Sequence, residues 1–163
     1  MVFMKNLTTK ALSFACIISL LFACDDKKGG SATADKEQIK REIQAKEDSF
    51  AAVYNSGQLR DIGYYAEDAT SYLQNTAPLV GREAIKAFLQ SDLAGNTDKI
   101  SFQTSEIYPS NDGEMVVEVG HFNVVDSANN PVNSGNYMAL FQKRDGKYVV
   151  LRDMSTSDGV RVK

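Results

Sequence analysis

The sequence predicts an α+β fold, a cone-shaped domain of about three N-terminal helices packed on a curved antiparallel sheet. Two observations support the α+β class. Between residues 35 and 95 the apolar residues recur at helical spacing, whereas after Gly95 they alternate with a period of two and are interrupted by turn residues. Helices followed by a run of hairpin-connected strands are typical of α+β proteins, in which the helices cover one face of the sheet.

Residues 1–23 are expected to form a signal peptide that precedes the folded domain. Lys5 and Lys10 flank the start of an apolar run at 11–22, which is shorter than the roughly 20 residues of a transmembrane helix. The run ends in Leu-Phe-Ala-Cys, which resembles a bacterial lipoprotein signal, so Cys24 is predicted to carry the lipid. The alternative is an ordinary secretory signal in which Cys24 has no role. Cys24→Ala distinguishes the two: it is expected to abolish membrane fractionation if the protein is a lipoprotein and to leave fractionation unchanged otherwise.

Residues 24–35 comprise the predicted lipidated cysteine and a flexible tether, because the segment after Cys24 is almost free of apolar side chains. The protein is therefore expected to be exported and anchored in a bacterial membrane, on the periplasmic side or at the cell surface. The chain carries a net charge of −3 at pH 7 and has no basic cluster, which argues against a nucleic-acid partner. Cys16 leaves with the signal, so no cysteine remains for a disulfide or a thiolate metal site.

The domain is predicted to span residues 36–163 and to begin with an amphipathic helix. Asp35 and Gln38 have the spacing of a capping box, and Gly57 is expected to end the helix. A second, short helix is expected around Leu59 and Ile62. The apolar stripe of the first helix consists of Ile39, Ile43, Phe50, Val53 and Tyr54.

A third helix is predicted to open at Gly81 and to stop at Gly95 in the left-handed conformation. The residues from Thr70 to Leu73 before it are β-prone and too few for a helix, so they predict the first strand. The buried face of the third helix is expected to carry Ile85, Phe88, Leu89 and Leu93.

Four further strands are predicted at 100–108, 114–126, 132–143 and 147–157, separated by turn residues. Asp145-Gly146 predicts a two-residue hairpin turn, which sets Met138 opposite Asp153 on one face of the sheet. A one-residue bulge would exchange the two faces. The other face is expected to form an exposed apolar patch that consists of Tyr137, Phe141, Val150 and Met154.

Three motifs carry a resemblance to a known family. Y-A-E-D-A-T at 65–70, V-G-R-E-A-I at 80–85 and the ending that follows Asp145-Gly146 resemble the SnoaL-like branch of the nuclear-transport-factor-2-like superfamily. The resemblance covers about residues 36–158 and implies a cone-shaped domain. It also implies a homodimer formed through the outer sheet face, which a monomeric mass in light scattering would contradict. It implies no particular activity, because one fold hosts unrelated functions.

Ketosteroid isomerases of this superfamily use an aspartate base and an oxyanion hole made by a tyrosine and a protonated aspartate. The shared motifs place these three roles at Leu73, Phe50 and Met138, which are all apolar. Leucine accepts no proton and methionine donates no hydrogen bond, so isomerase chemistry of this kind is not expected.

His121 and Asp153 are the remaining candidates for catalysis. If the turn before the third hairpin strand has four residues, His121 shares a face with Asp153, and the two would serve as a general base or a ligand clamp. A five-residue turn sends His121 to the opposite face. In the alternative interpretation, both residues are hydrogen-bonded structural groups. The residues predicted to line a pocket are Tyr54, Tyr65, Tyr72, Leu73, Met138 and Asp153.

Three functions are compatible with the sequence. The first is a module that binds a small apolar ligand in this pocket. The second is a cofactor-free acid–base enzyme (an isomerase, dehydratase or cyclase) that uses His121 and Asp153, and the third is a protein-interaction domain that docks through its apolar sheet face. The sequence has no phosphate-binding glycine loop, no metal-spaced histidine set and no serine nucleophile motif, so neither a cofactor nor a metal is expected.

Overall fold

The computed structural model describes residues 35–59 and 62–159, and these form the α+β arrangement that the sequence predicts. The predicted signal peptide, Cys24 and the tether up to residue 34 lie outside the described residues, as do residues 60 and 61 of the expected short helix. The elements are α1 (Lys36–Asn55), β1 (Tyr65–Leu73), β2 (Leu79–Val80), α2 (Arg82–Leu93), β3 (Lys99–Pro109), β4 (Met115–Val125), β5 (Pro131–Arg144) and β6 (Lys147–Ser157).

Helix α1 begins at the predicted cap. The Asp35 carboxylate accepts hydrogen bonds from the backbone N–H groups of Glu37 (3.0 Å) and Gln38 (3.1 Å), which lack partners inside the helix. The Gln38 side chain does not complete the predicted capping box, because it donates to Glu42 one turn further on. The cap therefore stabilises the helix through Asp35 alone.

Helix α2 begins after Gly81, where the backbone has a φ of 87°. That conformation is strained for a residue with a side chain, which explains the glycine. The prediction of a left-handed stop at Gly95 is wrong, since α2 ends at Leu93 with Ala94 as its cap and Gly95 does not have a positive φ. Over the described ranges, neither helix combines the length and the apolar character that a membrane crossing requires.

The six strands form one sheet in the order β2-β1-β6-β5-β4-β3. Neighbouring strands are antiparallel except for β1 and β6, which are parallel, so the sheet is mixed and the prediction of an antiparallel sheet is wrong at this pair. The physical reason is the connection. Strands joined by a hairpin are forced to be antiparallel, whereas β1 and β6 are separated by most of the domain.

Three single-residue bulges bend the sheet into a curved wall. They leave Ser105 of β3, Val132 of β5 and Leu151 of β6 without a partner opposite. Each bulge locally increases the twist of its strand, and the concave inner face that results is covered by α1 and α2. Gly135 allows a close approach here, because a Cβ atom at this position would lie 2.1 Å from the carbonyl oxygen of Thr156.

The bulge at Leu151 corrects the predicted facing of the last hairpin. From the turn to the pair Phe141–Val150, strands β5 and β6 pair in the register that a two-residue turn predicts. Beyond the bulge the register shifts by one residue, and Leu140 pairs with Arg152. Met138 consequently pairs with Met154 rather than with Asp153.

The predicted exposed patch is therefore wrong for three of its four members. Tyr137, Phe141 and Val150 are buried on the inner face, and only Met154 is exposed, at 53%. Tyr72 (42% exposed) and Met138 (45% exposed) lie beside Met154 in register. These three side chains form an apolar strip on the outer face of the sheet.

Candidate ligand-binding site

A cavity of about 170 Å³ lies between the two helices and the concave face of the sheet. Eight of the fifteen residues that line it are aromatic, so its wall is mainly apolar, as is typical of small-molecule sites. The aromatic residues are Phe50, Tyr54, Tyr64, Tyr65, Phe88, Phe102, Phe122 and Tyr137. A cavity of roughly 150 Å³ accommodates benzene, so this one suits a ligand with about one ring.

A second hollow, of about 400 Å³, adjoins the cavity at the α2 end. The two share Tyr54, Asp92, Ile100 and Phe122, and the hollow adds Asp98. A ligand whose ring fills the cavity therefore has room for a substituent that extends past Asp92.

Four of the six residues predicted to line a pocket do so, namely Tyr54, Tyr65, Leu73 and Asp153. Tyr72 and Met138 lie on the outer face and do not line it, whereas Met154 of the same strip also borders the cavity. Each is flanked along its strand by a buried inner-face residue, Ser71 in one case and Tyr137 in the other, and neighbouring side chains of a strand face opposite sides.

The three positions that correspond to the catalytic residues of ketosteroid isomerases are also split between the cavity and the outer face. Phe50 and Leu73 line the cavity and supply only apolar surface there. Met138 lies on the outer face, so its assignment to the interior is wrong.

The predicted pair of His121 and Asp153 does not form. His121 lies opposite Asn136 and Gln103, both exposed, whereas Asp153 is part of the cavity wall on the inner face. His121 does share a face with Met138, as expected for the shorter turn. It is Asp153 that the bulge at Leu151 turns inward, and this separates the two residues by the thickness of the sheet.

Asp153 is the most incompletely satisfied polar group of the cavity wall. The Tyr65 hydroxyl donates to its Oδ2 at 3.1 Å, whereas its Oδ1 is buried and accepts no well-aligned hydrogen bond. Burial raises the pKa of this carboxyl, and the nearby hydroxyls of Ser71 and Tyr65 oppose the increase by stabilising the charged form. An ionised carboxyl only accepts hydrogen bonds, so this part of the wall favours a ligand that donates to it.

The four cavity tyrosines share one arrangement, in which each hydroxyl donates a hydrogen bond to the carboxyl group of an acidic side chain. The pairs are Tyr54 with Asp92, Tyr64 with Glu47, Tyr65 with Asp153, and Tyr137 with Glu118. Burial and the neighbouring carboxyls raise the pKa of all four hydroxyls, so the protons stay in place. A phenolic hydroxyl has a single proton, and these oxygens therefore offer a ligand only an acceptor.

Two glutamates, Glu47 of α1 and Glu118 of β4, form a fully buried pair behind the cavity. Thr104 and Tyr137 donate to Oε1 of Glu118 at 2.5 and 2.8 Å, and Tyr64 donates to Oε1 of Glu47. The second oxygen of each carboxyl has no other partner, and a hydrogen bond between the two side chains accounts for both.

The glutamate pair holds one proton. Burial and the negative charge of Glu118 raise the pKa of Glu47 to about 9, and burial raises the pKa of Glu118 as well. Two adjacent buried carboxyls cannot both be ionised near neutral pH, so Glu47 is protonated and donates to the Glu118 carboxylate.

The sequence analysis missed this pair, although the sequence contains a signal for it. Glu47 lies four residues after Ile43 and three before Phe50, in the middle of the apolar stripe of α1. Glu118 alternates with Val116 and Gly120 on the buried face of β4. A carboxyl at a core position requires hydrogen-bond partners, and two of them in one domain indicate each other.

Within residues 35–59 and 62–159, no three acidic or histidine side chains are arranged so that they would hold a metal ion.

Taken together, the curved sheet, the two covering helices and the cavity between them define a cone-shaped α+β domain. The sequence profile of the SnoaL-like domain matches residues 47–151, and the chain belongs to this family. No functionally curated protein matches the sequence.

Several solved structures share the fold. A protein of unknown function from Mycobacterium tuberculosis is 18% identical with a TM-score of 0.65, over 80% of this chain and 78% of that one. An NTF2-like protein with a cystatin-like fold from Novosphingobium aromaticivorans is 15% identical with a TM-score of 0.63, over 73% and 81%. A ketosteroid isomerase-like protein from Erwinia carotovora atroseptica is 12% identical with a TM-score of 0.60, over 75% and 98%. At these identities the likeness concerns the fold alone.

Proposed function

We propose that this protein is a membrane-anchored module that binds a small, mainly apolar ligand of about one ring in the cavity between its helices and sheet. The observation that carries the proposal is the cavity itself, which has a volume of about 170 Å³ and a largely aromatic wall. Such a wall favours a planar or compact apolar ligand through burial and ring contacts.

The positions of the polar groups favour binding over acid–base catalysis. A general base and a general acid must both reach the substrate, and His121 lies on the far side of the sheet from Asp153. An oxyanion hole requires free donors, whereas the four tyrosine protons of the wall are already donated to carboxylates. The arrangement suits a protein that holds a ligand without transforming it.

The anchoring part of the proposal rests on the sequence. The lipoprotein-like ending Leu-Phe-Ala-Cys and the polar segment after Cys24 support a lipid-anchored, exported protein. The homodimer also stays a prediction. Its expected surface is now the outer-face strip of Tyr72, Met138 and Met154.

Titration calorimetry with a panel of one-ring compounds, neutral, cationic and anionic, tests the binding function. We expect at least one member to bind, whereas a four-ring steroid exceeds the cavity. Ser155 lines the cavity and Thr156 follows it on the outer face, so Ser155→Phe fills the site and Thr156→Phe is the matched control. We expect only Ser155→Phe to abolish binding. A panel without any binder, or equal affinity in wild type and Ser155→Phe, would contradict the proposal.

A further inference from the structure

The side chains of the cavity wall offer a ligand almost exclusively hydrogen-bond acceptors. The four tyrosine hydroxyls already donate hydrogen bonds to acidic side chains of the protein, and Asp92 and Asp153 are themselves acceptors. Of the described residues that line the cavity, Ser155 supplies the one remaining side-chain donor. A ligand that needs to accept several hydrogen bonds, such as a carboxylate or a phosphate, is therefore poorly matched.

The charge of the site also disfavours an anionic ligand and favours a cationic one. Asp92 and Asp153 line the cavity and Asp98 lines the adjoining hollow, and among the described residues neither wall contains Lys, Arg or His. The salt bridges found in the described part of the chain do not involve Asp153, so its carboxyl has no protein cation beside it. Behind the wall, the Glu47–Glu118 pair adds a further negative charge.

The aromatic rings contribute a third feature that attracts positive charge. The face of an aromatic ring carries partial negative charge, and it attracts cations that lie over it. Phe50 packs edge to face with Tyr65 and Phe102, at 86° and 67°, and is nearly parallel to Tyr54, at 22°. The rings of the cavity are thus set at several different angles, and their faces point in more than one direction.

We propose that the cavity takes a small organic cation, an ammonium joined to an apolar group of about one ring, with the ammonium against Asp153 and the aromatic faces around it. An ammonium has donors and no acceptor, which complements a wall of acceptors, and its positive charge complements the carboxyls of Asp92 and Asp153 in that wall. This inference rests on the proposed function, because it names the ligand class of the same cavity.

Three compounds with the same ring and different charge test the inference, namely benzylammonium, benzyl alcohol and benzoate. Titration calorimetry at pH 7 and low ionic strength gives the three affinities for the wild-type chain. We expect benzylammonium to bind at least tenfold more tightly than benzyl alcohol, and benzoate not to bind. Because this comparison uses the unmodified chain, it is decisive even if a variant fails to fold.

Two charge-neutralising variants assign the preference to Asp153. Asp153→Asn is expected to reduce the preference for benzylammonium to less than threefold, whereas Asp48→Asn, which removes an exposed carboxylate of α1, is expected to retain it. Circular dichroism confirms that both variants are folded.

The outcomes separate the two levels of the proposal. Equal affinities for benzylammonium and benzyl alcohol, tighter binding of benzoate, or an undiminished preference in folded Asp153→Asn would overturn the cation inference and leave a small-ligand module in place. If none of the three compounds binds, and no other one-ring compound does, the cation inference and the proposed function fail together.

Discussion

The glutamate pair and Asp153 are two acidic sites of the same domain, and their partners differ. Glu47 and Glu118 are fully buried, and between them Tyr64, Tyr137, Thr104 and the shared proton occupy their oxygens. Asp153 is half-buried in the cavity wall, with the Tyr65 hydroxyl on Oδ2 and the Ser71 hydroxyl nearby. The pair lies behind the cavity with its partners in the protein, whereas Asp153 is part of the wall that a ligand would contact.

This difference indicates which acid serves stability and which serves binding. A closed hydrogen-bond network loses free energy when any member is removed, because the remaining groups are left buried without partners. A half-buried carboxyl in a cavity wall has fewer internal partners to lose, and it can gain one when a ligand binds. The expected effects below are ordered accordingly, from the largest to the smallest change in the free energy of unfolding.

Removal of the central acceptor is expected to have the largest effect. Glu118→Leu is similar in size but leaves the donors of Thr104, Tyr137 and protonated Glu47 without an acceptor. We expect a loss of about 3–5 kcal/mol, since each unsatisfied buried group costs about 1–3 kcal/mol. Chemical denaturation at pH 7 measures it.

Glu118→Gln is the matched control, because its side-chain oxygen still accepts from Thr104 and Tyr137. It is expected to lose substantially less than Glu118→Leu. Equal losses in the two variants would show that the network contributes no more than the packing of the side chain.

Replacing Glu47, the protonated member of the glutamate pair, by glutamine is expected to change how the free energy of unfolding depends on pH. The pKa of Glu47 rises from 4.5 to about 9 on folding, so its contribution is fully present below pH 4.5 and is lost as the pH rises through 9. Wild type should therefore lose a few kcal/mol between pH 5 and 9, at up to about 1.4 kcal/mol per pH unit. Glu47→Gln cannot ionise and should remove most of this slope, which makes it the more stable protein at pH 8.

Denaturation midpoints measured from pH 5 to 9 test this expectation. Asp48→Asn, at the next and exposed position of α1, should keep the wild-type slope. If Glu47→Gln were as pH-dependent as wild type, the shared proton would have to be assigned elsewhere.

The smallest effect on stability is expected at Asp153. Burial raises the pKa of this carboxyl, so its contribution to stability decreases as the pH rises through the folded-state value. Asp153→Asn removes that unfavourable ionisation and is expected to change stability at pH 7 by less than about 1 kcal/mol, toward higher stability. Thermal unfolding measures the change. A loss as large as that of Glu118→Leu would place Asp153 with the structural acids and remove the contrast between the two sites.

Much of the fold was predictable because local patterns and turns specify the elements. The Asp145-Gly146 turn, the strand β6 at 147–157 and the caps at Asp35 and Gly81 follow from residues close together in the chain. The parallel pairing of β1 with β6 was not predictable in this way, because no local feature connects two strands so distant in sequence.

The site was predictable only in part, for a related reason. Tyr54, Tyr65, Leu73 and Asp153 lie at the cavity, whereas Tyr72 and Met138 lie on the outer face. The sequence could not make this distinction, since the face of a strand residue depends on register. The glutamate pair was recognisable as two acids at core positions. That they contact each other follows from the packing of α1 on the sheet.

By itself the sequence determined the class of the fold, the order of the elements and the apolar character of the interior, because hydrophobic periodicity and turn chemistry are local properties. Only the tertiary structure decided which acids face the cavity and which satisfy one another. The physical reason is a single unpaired residue, Leu151, whose bulge reverses the facing of β6 and turns Asp153 inward, away from His121.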